Sequence, residues 1–156
     1  MRLNNVPLSW VVICTATLSA LLLIGWYFIQ PLPFPDLGTC DRVEVSYAEL
    51  YPGHIEQNTT SLTSSPASQE EIQTMLDHAS FHRCWDTLFG ATSIGSIGNR
   101  TVAFYGYAPD GDLNIDLMIT SGKHILYNGR VYRLGWSGYS SGIELTQALF
   151  RTLSFL

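Results

Sequence analysis

The chain has 156 residues, 46% of them hydrophobic and only 13% charged, with a formal net charge of −5. All 13 acidic residues lie from Asp36 onward with every basic residue except Arg2, so that portion is more acidic than the whole. A surface of that sign displaces no counterions from phosphate, which excludes nucleic acid as a partner.

Leu8 to Ile29 contains no charged residue and no proline, and at 1.5 Å per residue it spans about 33 Å, enough for the hydrocarbon core of a bilayer. Trp10 near one end, and Trp26 with Tyr27 near the other, stand where aromatic residues line the two membrane interfaces. A buried helix of a globular core keeps a polar stripe, and this run has none. A cleaved signal peptide is the rival reading. The run, however, exceeds the usual apolar region of about 7–15 residues, and the small-residue site at Leu18-Ser19-Ala20 is followed by more Leu and Ile. Leu37-Gly38-Thr39-Cys40 has the outline of a lipoprotein processing site, but Thr precedes the cysteine and Pro31, Pro33 and Pro35 intervene. The expectation is an uncleaved signal anchor in the lipid bilayer. Residues 1–7 are then cytoplasmic because they carry Arg2, 8–29 span the membrane, 30–39 form a Pro-rich spacer, and 40–156 are an extracytoplasmic domain.

Arg42 to Leu50 alternates, with Val43, Val45 and Tyr47 on one side, and predicts a first strand. Gly53 to Ala67, rich in Asn, Thr and Ser, reads as a loop. Ser68-Gln69-Glu70-Glu71 fits a capping box, and Ile72, Met75, Leu76 and Ala79 follow at helical spacing. A second apolar set, Phe81, Cys84, Trp85 and Leu88, would point to the opposite side of an unbroken helix, so either a break near Ser80 or a helix covered on both faces is expected. Gly90 to Asn99 is a turn region, Thr101 to Tyr107 a strand, and Pro109-Asp110-Gly111 a turn. Leu113, Ile115, Leu117 and Ile119 then alternate with polar or thioether residues, and Asn128-Gly129 predicts a tight hairpin between His124–Tyr127 and Arg130–Leu134. A second capping box, Ser141 to Glu144, opens a helix with Leu145, Ala148, Leu149, Thr152 and Leu153 on one face. The fold class is therefore α+β: a small two-layer domain with an antiparallel sheet of about four strands in a meander and helices on one face. No internal repeat is present.

The run from Asp110 to Leu134, with Ser121-Gly122 and Tyr127-Asn128-Gly129-Arg130-Val131-Tyr132-Arg133-Leu134, resembles the C-terminal part of small uncharacterised extracytoplasmic domains in membrane-anchored proteins and lipoproteins of Gram-positive bacteria. The resemblance contains no known catalytic motif and implies no site residues. It argues against a eukaryotic secretory setting, in which Asn58-Thr59-Thr60 and Asn99-Arg100-Thr101 would be glycosylation acceptors.

Cys14 falls inside the apolar run, which leaves Cys40 and Cys84 as the pair open to a disulfide outside the cell. His78 and His82 have the four-residue spacing of a helical metal pair, near Asp77, Cys84 and Asp86, but Ala79 stands where a zincin carries Glu. Surface histidines beside a packed Trp85 are the plainer reading. Asp110, Asp112, Asn114 and Asp116 suggest calcium ligands, yet Ile115 and Ser121 occupy the positions that an EF-hand gives to Gly and Glu. Cys84 with His82 or His124 lacks any local nucleophile signature. No cofactor is expected. Tyr105, Tyr107, Arg130, Tyr132, Trp136 and Tyr139, with Arg133, suggest a contact patch for a protein or envelope ligand. The leading expectation is thus a non-catalytic membrane-anchored binding module. One alternative is an envelope enzyme or metal-binding domain using the His78, His82, Cys84 region. Another is a small subunit that joins a membrane complex through its anchor, where Ala16 and Ala20 offer small-residue spacing.

Overall fold

The computed structural model describes residues 8–136 and 138–155, apart from the side chains of Leu8 and Tyr139. It divides into two compact units, Met1–Gln30 and Pro31–Leu156. Residues 1–7, expected on the cytoplasmic side, lie outside the described residues.

In the first unit, helix α1 runs over Leu8–Ile29 and is long and apolar enough to cross a membrane. Its large side chains, from Trp10 through Leu21, Leu22 and Leu23 to Ile29, are exposed on every side of the helix. The threonines fold back on their own turn: Thr15 donates to the Val11 carbonyl at 2.8 Å and Thr17 to that of Ile13 at 2.9 Å. Their hydroxyls are satisfied without water, as a helix in an apolar medium requires.

The second unit is α+β. Its strands are β1 (Pro31–Leu32), β2 (Arg42–Tyr51), β3 (His54–Ser61), β4 (Phe81–His82), β5 (Arg100–Tyr107), β6 (Leu113–Thr120), β7 (His124–Tyr127) and β8 (Arg130–Leu134). They form one antiparallel sheet in the order β1-β4-β8-β7-β6-β5-β2-β3. The helices are α2 (Pro66–Asp77), α3 (Trp85–Leu88) and α4 (Tyr139–Leu153). Strands β5 to β8 make the expected meander, and the β2–β3 hairpin extends one edge while β1 and β4 extend the other. Asn128 and Gly129, at φ 46° and 72°, make the tight β7–β8 turn that their sequence predicts.

Alternation puts Val43 and Val45, Val102 and Phe104, Ile115, Leu117 and Ile119, and Ile125 on one face of the sheet. Ile72 and Leu76 of α2 and Leu145, Leu149 and Leu153 of α4 close over them, and all are buried in one cluster. Each such side chain contributes about 1.5–3 kcal/mol through removal from water. The short helix α3 departs from the expected one-sided layering. Its Asp86 meets His124, which alternates with the core-facing Ile125, so it lies on the opposite face.

Several expectations need correction. The segment Gly53–Ala67 is not a loop, since His54–Ser61 pairs with β2 along its whole length. Neither of its sides is packed, seven of its eight residues are exposed, and without a buried face no apolar alternation marks it. The 31–39 stretch is not a free spacer: Pro31 and Leu32 pair with β4, and Phe34 and Leu37 are buried in the core. Two glutamines of α2 hold Leu37, Gln73 accepting from its N–H at 2.9 Å and Gln69 donating to its carbonyl at 3.1 Å. Helix α2 starts at Pro66, where a missing N–H costs nothing, rather than at the Ser68 box. Helix α4 starts at Tyr139 after Gly138, ahead of the Ser141 box. The break near Ser80 is present: α2 ends at Asp77 and Phe81 and His82 turn into β4.

Candidate functional site

The expected contact patch does not form one surface. Tyr105 and Tyr107 lie on the face of β5 away from the core, beside Asp116, Glu44 and Arg42, whose guanidinium carbon is 4.4 Å from the Tyr107 ring. Tyr132 lies on the core face, edge-on to Phe81 at 5.0 Å, and Arg130 is exposed at the β8 end of the hairpin turn. Trp136 is exposed and leans on His82 at 4.5 Å. The Tyr139 side chain is outside the described residues. Sheet alternation, not sequence proximity, separates these groups.

The histidine pair does not hold either. His78 terminates α2 and its Nδ1 sits 2.7 Å from the Thr74 carbonyl, on the rim of a groove of about 700 Å³ between α2 and α4. His82 is buried in β4 between β1 and β8 rather than on the surface. The acidic run becomes a turn, in which Asp110 accepts from the Asp112 N–H at 3.1 Å, followed by the start of β6.

Cys40 and Cys84 are free thiols, so the proposed disulfide is absent. Cys40 packs with the core against Gly106 and Ile115, on the helix-covered face. Cys84 belongs to α3 on the other face, and the sheet stands between the sulfurs.

What does assemble is a group around α3. Cys84 occupies the N-cap position, and its N–H donates to Thr87 Oγ1 at 3.0 Å. The Thr87 hydroxyl lies 3.4 Å from Cys84 Sγ and donates to the Val131 carbonyl, which fixes the sulfur over β8. His124, opening β7, places Nε2 3.5 Å from Asp86 Oδ2. One donor atom from each of Cys84, Asp86 and His124 lies within 4.8 Å of the other two. Burial lowers the His124 pKa and Asp86 acts in the opposite sense, while Lys123 and Arg133 reinforce the lowering. The three donors converge about one point.

Beside this group Trp85, Leu88 and Phe89 are 61%, 51% and 78% exposed, with the two rings stacked at 6.0 Å. Trp85 is therefore not packed as its sequence context predicts. The i, i+3, i+4 spacing of these residues marks one helix face, but in a four-residue helix that face meets solvent instead of core. The Cys84, Asp86, His124 convergence has no local signature, because His124 lies 38 positions after Asp86 in the chain. No family model, no curated protein and no solved structure matches the chain.

Proposed function

We propose that this chain is a single-pass membrane protein with its N-terminal residues in the cytoplasm and a non-catalytic α+β domain outside, which binds another protein through the exposed face of α3. One observation carries the anchoring: α1 is apolar all round, and the hydroxyls of Thr15 and Thr17 near its middle are satisfied within the helix. Arg2 supports the direction. The resemblance of Asp110 to Leu134 to extracytoplasmic domains agrees with it.

The binding surface rests on Trp85, Leu88 and Phe89, since large exposed aromatic and aliphatic groups side by side are the usual anchors of a protein interface. Alkaline carbonate extraction tests the anchor: the full-length chain stays in the membrane pellet, and release of a shortened domain would contradict an uncleaved span. Photocrosslinking in intact membranes from position 89, against position 56 on exposed β3 as control, tests the surface. A partner captured from 89 and not from 56 supports it, and equal capture or none from 89 contradicts it.

A further inference from the structure

We propose that Cys84, Asp86 and His124 form a site for a zinc-class divalent transition-metal ion, which ties α3 to β7. Sulfur, imidazole nitrogen and carboxylate oxygen are a donor set that selects such ions over calcium or magnesium, whose ligands are oxygens. Tetrahedral zinc, with bonds of about 2.0–2.3 Å, sets its ligand atoms roughly 3.3–3.8 Å apart. The Asp86–His124 pair already stands at 3.5 Å, and all three donor atoms lie within 4.8 Å of one another. Drawing the three atoms to that spacing needs a movement of about 1 Å or less, and Asp86, whose side chain is 53% exposed, has room to adjust.

The surroundings fit the assignment. Thr87 Oγ1 beside the sulfur, itself held by Val131, is the kind of outer hydrogen-bonding group that orients a metal-bound thiolate. Lys123 and Arg133 lie near His124 and oppose a cation, but a thiolate with a carboxylate neutralises a divalent charge. Three protein ligands leave one position for water on the solvent side. The ion supplies what this part of the fold lacks, because α3 has only four residues and is otherwise fastened mainly by the Thr87 and Val131 hydrogen bonds. The inference is independent of where α1 lies.

The test uses the full chain in detergent micelles, stripped with chelator and titrated with Co²⁺ and then Zn²⁺. The expected result is one cobalt per chain with a near-ultraviolet sulfur-to-cobalt charge-transfer band that zinc removes. Cys84→Ser abolishes the band and Cys40→Ser leaves it. Asp86→Asn, an exposed and nearly isosteric change, and His124→Gln each weaken cobalt binding by roughly tenfold or more, since even outer-shell changes cost about 10–100-fold. Absence of the band, its survival in Cys84→Ser, or unchanged affinity in both Asp86→Asn and His124→Gln would overturn the assignment.

Discussion

Gly142, in the first turn of α4, lies against Gly122 so closely that a Cβ on Gly142 would collide with the Gly122 carbonyl oxygen and stand 2.9 Å from that of Thr120. Backbone meets backbone here, so neither side can give by a rotamer change. Gly142→Ala forces the helix off the end of β6 and is expected to cost about 1–3 kcal/mol, the range for overpacking. Urea denaturation of the variant measures it, and an unchanged midpoint would show that α4 docks less tightly.

Phe81 reverses the helical pattern to become β4, and its ring meets Phe34 at 5.1 Å, Tyr132 at 5.0 Å and Tyr127 at 5.9 Å, all edge-on. It joins the segment after α1 to the core. Phe81→Ala is expected to destabilise the domain by about 3–5 kcal/mol. Thermal or urea unfolding followed by near-ultraviolet circular dichroism checks this, because the same change loosens three neighbouring aromatic rings.

Thr87→Val keeps the shape of the side chain and removes the hydroxyl shared by the Cys84 N–H and the Val131 carbonyl. Leaving those groups unpaired is expected to cost about 1–3 kcal/mol. Hydrogen exchange then shows faster exchange at α3, with the amides of β6 still protected. Uniform loss of protection would instead mean that α3 is part of the global core.

Burial raises the pKa of Tyr105, with Asp116 adding to it, and burial raises that of Tyr127, with Tyr132 and Cys40 adding to it. For an acid raised above its unfolded value of 10.0, the neutral form contributes stability that is present below pH 10.0 and lost as the pH rises through the folded pKa. Ultraviolet titration is expected to show tyrosinate forming late at these two positions, and Tyr105→Phe and Tyr127→Phe each to remove a late-titrating phenol. Ionisation of both with the bulk of the tyrosines would contradict their placement.

Strand β6 was legible because Ile115, Leu117 and Ile119 meet the core while Asp116 does not, so burial on one face writes itself into the sequence as alternation. Strand β3 was not, because both of its sides face solvent and its Thr and Asn residues read equally well as loop. The apolar run of α1 needed no tertiary context, nor did the Asn128-Gly129 turn. The metal-ligand candidates did: His82 and His78 are neighbours in sequence but diverge at the end of α2, while His124 reaches Asp86 only because α3 folds across the sheet beside β7 and β8. Cys40 and Cys84 failed as a pair for a related reason, since sequence spacing carries no record of which face of a sheet a thiol occupies.

Protease added to intact cells that carry the full chain with a peptide tag after Leu156 tests the membrane-anchored, outward-facing reading most directly. Loss of the tag without detergent, with the α1-containing fragment kept in the membrane, is the predicted result. A tag protected until detergent opens the membrane would place the domain inside and contradict it.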